Sequence, residues 1–410
     1  MAHAVTIDDI RAAARLLDGQ VLRTPTLPAP GLSRLAGTQI IVKYETMQTT
    51  GAFKERGALV RLSRLSEDER RRGVVAMSAG NHAQAVAYHA ARLGIPATIV
   101  MPNGTPIVKV ENTRAHGATV VIHGDTLIES WQRVEELMAG TGAVLVHPYD
   151  DPAVIAGQGT IALEMLEDVP DLDVLVVPIG GGGLCAGMAV AAKAVKPSID
   201  VVGVEAALYP AMLNAIDGEE RPVGGPTLAE GIAVKAVGAL TTPIIRDLTS
   251  GILLVDEVQI ETAVNAYATQ ARTMAEGAGA AGLAAVLADP ARFAGRKVGL
   301  VLCGGNIDAR LLASIMIRSL ERDQRIASLR IALPDRPGLL GQIASRLGGL
   351  GANILEVSHG RLFLDVPAKG VTLDLTIETR GAAHTQAIVA ALEADGFAPR
   401  RIDRRSNATG

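Results

Sequence analysis

Aromatic side chains are scarce: one Trp, five Tyr and four Phe in 410 residues. Rings at that density cannot anchor a core, which excludes an aromatic-centred sandwich and leaves Val, Ile, Leu and Ala to fill the interior. Cysteine is almost absent. Cys185 and Cys303 lie far apart, each in a glycine-rich stretch, so no disulfide framework is expected and a reducing cytoplasm is the expected compartment. The longest apolar runs are strand-sized or broken by Gly and charge, and the N-terminus MAHAVTIDDIRAAARLL has no basic segment leading into an apolar one. Neither a membrane span nor a signal peptide is expected. Neither sign of charge dominates, with 39 basic and 43 acidic residues and a net charge of −4. Without a basic stripe, nucleic acid and anionic membrane are poor partners.

What is present points to an α/β protein. The hydrophobic share is 48%, enough for sizeable cores, and the length exceeds one ordinary core, so two or three folding units are expected. Short β-branched runs at Gln39–Lys43, Val74–Met77, Ala97–Met101, Thr119–Ile122, Val174–Pro178, Val201–Glu205 and Lys297–Leu302 alternate with Ala-rich stretches. That alternation predicts βαβ units and parallel sheets. Two sheets are expected, one before and one after the turn-rich segment His147–Asp151.

Near Ile317 the pattern changes. The charged stretch Arg318–Arg325 reads as a helix end or linker. Then come strand Ser328–Leu333, helix Gly338–Gly348, strands Asn353–His359 and Gly370–Glu378, helix Ala382–Asp395 and strand Ala398–Ile402. This βαββαβ order is that of a ferredoxin-like domain. The expected organisation is a large part over 1–322, a linker over 323–327 and a small domain over 328–410, with a disordered tail after Arg404.

Four loops could carry chemistry. Gly180-Gly181-Gly182-Gly183-Leu184 follows the buried strand VLVVP and opens an Ala-rich helix. Consecutive glycines let backbone N–H groups curl round an anion, and the helix N-terminus adds partial positive charge, so a phosphate can be held without Lys or Arg. A tight turn, or a dinucleotide fingerprint built on Gly181, Gly183, Ala186 and Glu205, also fits the residues. In Thr50–Ala58, Lys54 follows Thr-Gly and the apolar pair Ala52-Phe53. It is either a solvated surface lysine or a partly buried amine with a lowered pKa. Ser78–Gln84 offers N–H groups, a hydroxyl and an amide at a strand end. These can bind an oxygen-bearing ligand, or Ser78 or Asn81 can simply cap the helix. Cys303, in Leu302–Asn306, reads equally as a small buried hydrophobe.

Together these loops resemble the threonine dehydratase (threonine ammonia-lyase) group of fold-type II pyridoxal-phosphate enzymes. The resemblance runs from about Ile10 to Ile317. It rests on KYETMQTTGAFKERGA (Lys43–Ala58), SAGNHAQ (Ser78–Gln84), HPYDDPAVIAGQGT (His147–Thr160), GGGGL (Gly180–Leu184), EGIAV (Glu230–Val234), EGAGAAG (Glu276–Gly282) and CGGNID (Cys303–Asp308). Seven ordered motifs displace the dinucleotide reading. The resemblance implies two parallel-sheet subdomains and pyridoxal 5'-phosphate as cofactor. Lys54 would be the Schiff-base lysine, Phe53 would lie beside the ring, and Gly180, Gly181, Gly182, Gly183 and Leu184 would hold the phosphate. Asn81 would contact the phenolic oxygen, Cys303 the pyridine nitrogen, and Ser78, Ala79, Gly80, Asn81 and His82 the substrate carboxylate. The implied reaction converts L-threonine to 2-oxobutanoate and ammonia, and L-serine to pyruvate. Two positions depart from the commonest pattern, Ala52 and Cys303, each standing where Ser is frequent.

The small domain resembles an ACT regulatory domain. Leu333–Leu340 (LPDRPGLL) and Gly351–Ile354 (GANI) carry that likeness, which implies an amino-acid effector at Gly338, Leu339, Asn353 and Ile354. It also implies a homo-oligomer, dimer or tetramer. The alternatives are a 3-hydroxyaspartate dehydratase, a serine racemase, or a catalytically dead amino-acid-responsive binding protein. The racemase alternative is disfavoured at Ala79, where those relatives place the serine hydroxyl that protonates the second face. No metal is expected. Glu205 matches one cation ligand of some relatives, but Ala211 stands six residues on, and one carboxylate is a poor start for a hard cation.

Overall fold

The structure is a computed structural model describing residues 3–360 and 370–402. The tail after Arg404 lies outside the described residues. Two compact units divide the chain, Met1–Ile307 and Asp308–Gly410. The helix Ala309–Arg322 groups with the second unit.

In the first unit all seven parallel runs form strands within a residue or so of their sequence limits. The division between sheets differs from the sequence expectation. Gln39–Tyr44 does not join the other early strands; it pairs in parallel with Lys297–Leu302. The larger sheet runs Thr26–Pro28, Gln39–Tyr44, Lys297–Leu302, Val174–Pro178, Asp200–Ala206, Ile252–Val255. The smaller runs Thr119–Ile122, Ala97–Met101, Val74–Met77, Val144–Leu145. The smaller sheet is thus an insertion into the larger one. The reason lies in the residues: Ile40, Ile41, Val42 and Lys43 are all buried, so successive side chains on both faces need cover and the strand suits a sheet interior. Thr26–Pro28 and Val144–Leu145 are too short to show a period in sequence, and Ile252–Val255 is an unbroken apolar run that shows none.

Three helices set the position of the site. Lys54–Ser63 packs on Pro152–Asp168, which packs in turn on Gly183–Val195. Close approach needs glycine at the crossings. A Cβ on Gly157 would fall 2.7 Å from Gly57 Cα, and one on Gly187 would fall 2.2 Å from the Ile155 carbonyl. The middle helix is started by Asp151, whose side chain accepts from the N–H groups of Ala153 and Val154, with Pro152 at the first helical position.

The second unit is one antiparallel sheet in the order Asn353–Gly360, Gly370–Glu378, Ile326–Pro334, Pro399–Arg401. Helices Leu339–Gly349 and Ala382–Ala394 complete the βαββαβ order. Leu329, Ile331, Ile343, Leu347, Leu373, Leu375, Ile388 and Leu392 form its apolar core.

Candidate active site

Lys54 is the first residue of its helix, and the buried Phe53 precedes it as the N-cap. The chain is pinned there from the far strand: Phe53 N–H donates to the Cys303 carbonyl at 3.0 Å, and Gly305 N–H to the Gly51 carbonyl at 3.0 Å. Lys54 is partly buried, its Nζ 5.2 Å from the Phe53 ring centroid and donating to the Pro148 carbonyl at 2.7 Å. Burial lowers its pKa to about 8, against the opposing pull of Cys303 and Glu276. The partly buried reading of Lys54 therefore prevails over the solvated one.

The tetraglycine loop meets the same segment from the other side. A Cβ on Gly181 would lie 2.2 Å from the Tyr149 ring, and one on Gly183 2.9 Å from the Tyr149 carbonyl. Gly182 has φ +97°, and the helix starts at Gly183. Thr241 Oγ1 donates to the Gly181 carbonyl at 2.7 Å and fixes the loop from behind. The amides of this first helical turn have no intrahelical acceptor and form an anion cradle. Leu184 packs its side chain into the core.

At the third loop, Gly80 and not Ser78 or Asn81 is the N-cap of Asn81–Arg92, without any side-chain cap. Asn81 spends its amide otherwise. Its Nδ2 donates to Glu276 Oε1 at 2.8 Å, and its Oδ1 accepts from Asn306 Nδ2 at 2.7 Å. Ser78 Oγ accepts from the Gly80 N–H at 3.2 Å, and Ala79 packs on the core of the small sheet. The buried His82 ring is held at 2.8 Å from the Val146 carbonyl, and burial depresses its pKa to about 3, so the imidazole is neutral and turned toward the sheet. Only the backbone of His82 is left for a ligand at this loop. Cys303 is buried, and burial pushes its thiol well above the ordinary range, so it is neutral. Glu276 closes the circuit: a Cβ on Gly304 would meet its Oε1 at 2.3 Å, and one on Gly231 at 3.4 Å.

The arrangement gathers an amine, an anion cradle at a helix N-terminus, an amide and a neutral thiol. The family model for pyridoxal-phosphate dependent enzymes matches residues 17–304. The chain belongs to that family. It is 43% identical over 400 residues to the L-threonine ammonia-lyase of Thermotoga maritima, covering 97% of this chain and 100% of that one. It is 43% identical over 317 residues to the catabolic L-threonine dehydratase TdcB of Escherichia coli K12, covering 76% of this chain and 96% of that one. The solved structure of maize serine racemase superposes with a TM-score of 0.72 at 36% identity, covering 78% of this chain and all of that one. The residues fit the family's cofactor. The glycine cradle suits a phosphate, the low-pKa lysine a carbonyl, and the neutral Cys303 a ring nitrogen that needs no anion beside it.

Glu276, Asn306, Pro148, Tyr149 and Thr241 belong to the site without having stood out in sequence. The first four lie within the matched motifs, yet their function is set by partners distant in sequence. Glu205 is tied down: its carboxylate accepts from the Met212 and Leu213 N–H groups at 2.7 and 3.0 Å. Burial nevertheless raises its pKa to about 7.

In the second unit a cavity of about 190 Å³ is lined by Leu333, Asp335, Gly338, Leu339, His359 and Leu373 among others. Asn353 and Ile354 do not reach it. They pair with Glu378 and Ile377, five and four residues along the strand from Leu373, or roughly 13–16 Å at 3.3 Å per residue.

Proposed function

We propose that this chain is a carbon–nitrogen lyase that deaminates L-threonine to 2-oxobutanoate and ammonia, and L-serine to pyruvate. The observation that carries the reading is the convergence of Lys54, Asn81, Cys303 and Gly180–Gly183 in a chain 43% identical over 97% of its length to an L-threonine ammonia-lyase. Bound pyridoxal phosphate supplies an electron sink for the substrate's α-carbon. Lys54 would anchor the cofactor, and its Nζ, an amine whose pKa burial lowers, would take the α-proton. The amides of Gly180, Gly181, Gly182, Gly183 and Leu184 hold the phosphate, and Phe53 packs beside the ring. Asn81 donates to the phenolic oxygen. Cys303 gives the ring nitrogen a neutral neighbour. The backbone of Ser78–His82 receives the substrate carboxylate.

The test compares kcat/KM for L-threonine, L-serine and 3-hydroxyaspartate. Threonine is expected to lead, with 2-oxobutanoate and ammonia in equal amounts; a faster 3-hydroxyaspartate reaction would overturn the assignment. From L-serine, pyruvate should accumulate with only traces of D-serine, because the Ala79 methyl cannot donate a proton to the second face. Chiral chromatography of a partly consumed reaction reads this directly.

We further propose that the second unit is an ACT-type regulatory domain. Gly338 and Leu339 line a cavity that Asn353 and Ile354 do not reach within one chain, so an effector touching all four sits between two copies. The strand Asn353–Gly360 is a sheet edge with Leu355 and Val357 exposed, which suits side-by-side pairing in a homo-oligomer. Isoleucine is expected to lower threonine turnover, with a coupling of about 1–3 kcal/mol between the two sites. Unchanged kinetics with every branched-chain amino acid, threonine and serine would sink the regulatory claim. Among the described residues no helix is long and apolar enough to cross a membrane, and both thiols, Cys185 and Cys303, are unpaired, in keeping with a reducing cytoplasm.

A further inference from the structure

Glu276 lies 195 positions beyond Asn81 in the chain yet shares a hydrogen bond with it. The Asn81 amide is held at both ends, its nitrogen by Glu276 Oε1 at 2.8 Å and its oxygen by Asn306 Nδ2 at 2.7 Å. The same Asn306 nitrogen donates to the Thr50 carbonyl at 2.8 Å, which ties the amide to the loop that carries Lys54. A flipped Asn81 would set its NH₂ against the NH₂ of Asn306 and its oxygen against a carboxylate oxygen, so both partners select one orientation. In that orientation one hydrogen on Asn81 Nδ2 is used by Glu276 and the second remains to donate. Glu276 has little room to move on the side of Gly304, where even a Cβ would fall 2.3 Å from its Oε1.

We propose that Glu276 and Asn306 are a positioning pair that locks the Asn81 amide with its remaining N–H held for the phenolic oxygen of the cofactor, so that the charge on Glu276 is read out in the cofactor's absorbance. This rests on the reading that Asn81 is the residue that holds that oxygen.

The charge on Glu276 changes within the working range. Burial pushes its carboxyl up to about 7, partly opposed by the Asn81 hydrogen bond, Lys109 and the Asn306 N–H, while Glu230 adds to the rise. The other ionisable groups facing it are Lys54 and the neutral Cys303. Lys109 and Glu230, which pair with each other, come from different elements of the unit. Above neutrality the carboxylate accepts from Asn81 in a charge-assisted bond about twice as strong as a neutral one. Below it, the protonated acid loosens its hold on the amide.

The experiment is a pH titration of the visible absorbance of the holoenzyme, with cofactor release measured in parallel by fluorescence. The wild-type spectrum should show a step through neutrality. Glu276→Gln keeps the shape and an acceptor oxygen but cannot ionise, so it should retain the cofactor and lose the step. Asn306→Asp is isosteric and places an oxygen against Asn81 Oδ1. It loses the donor to both Asn81 Oδ1 and the Thr50 carbonyl, and should speed cofactor release at least roughly fivefold to tenfold, the effect of a single lost hydrogen bond being the lower limit. Asn306 is exposed, so this variant tests the pair even where the Glu276 substitution does not fold. A wild-type spectrum without the step, a step that survives in Glu276→Gln, or unchanged release from Asn306→Asp would each overturn the proposal. Asn81→Ala separates the two levels. If it leaves spectrum and release untouched, the role given to Asn81 is wrong; if it changes both while the other two variants change neither, the positioning pair alone is wrong.

Discussion

Lys54→Ala is expected to lower threonine turnover by at least about 10³-fold, since one positioned proton-transfer group alone accounts for roughly 10²–10⁴ and this residue is also the anchor. The visible band of the bound cofactor should vanish in the same variant. Loss of positive charge is a rival cause, and Lys54→Arg removes it: arginine keeps the charge but is never neutral near physiological pH, so it should be as inactive as alanine. Borohydride treatment of the wild-type holoenzyme followed by peptide mapping should place the pyridoxyl group on Lys54. Label on another lysine would refute the assignment. The pH dependence has a definite sign. Burial lowers the Lys54 pKa from 10.5 to about 8. The nucleophilic amine is therefore the minor form below pH 8 and the major form above it. Cofactor capture by the apo-protein should rise with pH up to about 8 and then level. A rise that continues to the ordinary lysine range would show that the amine is solvated.

Much of this site is legible in the sequence because its parts are local. A strand end, a run of glycines and an Ala-rich helix follow one another at Val174–Ala191, and backbone geometry alone turns that order into an anion cradle. Lys54 is legible for a similar reason: Gly51, Ala52 and Phe53 precede it and give the helix a buried start. The second unit reads well since its two central strands, Ile326–Pro334 and Gly370–Glu378, alternate apolar and polar residues over nine residues each. What sequence conceals is whatever depends on two distant segments meeting. Glu276 looks like a helix-start acid until its carboxylate is seen against Asn81. His82 looks like a ligand in the SAGNHAQ loop, but the end of the neighbouring strand, at Val146, claims its ring. Gly338 and Asn353 share a likeness to one effector site yet lie toward opposite ends of a sheet. Gln39–Tyr44 precedes the small sheet in the chain but belongs to the large one, because its partner strand comes some 250 residues later.

The largest stability effect is expected two residues beyond the lysine. Arg56 and Glu45 are both fully buried, and Arg56 Nε and Nη2 donate to the Glu45 carboxylate at 2.9 and 2.8 Å. Arg56 also reaches Glu164 and Thr160, while Lys43, likewise buried, donates to Glu164 and to the Thr24 carbonyl. This network binds the helix that begins at Lys54 to the strand Gln39–Tyr44 and to the helix Pro152–Asp168, so it fixes the frame in which the lysine stands. Charges out of water need their partners, and removing one from a buried pair typically costs about 3–5 kcal/mol because the other is left uncompensated. Arg56→Met should therefore lower the thermal midpoint by on the order of 5–10 °C. The sign of the pH dependence follows from Glu45. Burial raises its pKa, but the attraction and hydrogen bonds of Arg56 outweigh that, so the net shift is downward and its contribution is present above the unfolded pKa and lost as pH falls. In Arg56→Met, burial remains the largest influence on Glu45, opposed chiefly by the Thr24 hydrogen bond and the Lys43 charge, and the folded carboxyl is expected to titrate above its unfolded value. Its ionisation then costs stability at neutral pH and the cost disappears in acid. The gap between wild type and variant should narrow as pH falls from about 8 to about 5. Adding Glu45→Gln to Arg56→Met should recover part of the loss, since the second change removes the stranded charge. A gap that stays constant with pH, together with simple additivity in the double variant, would show that Arg56 contributes packing alone.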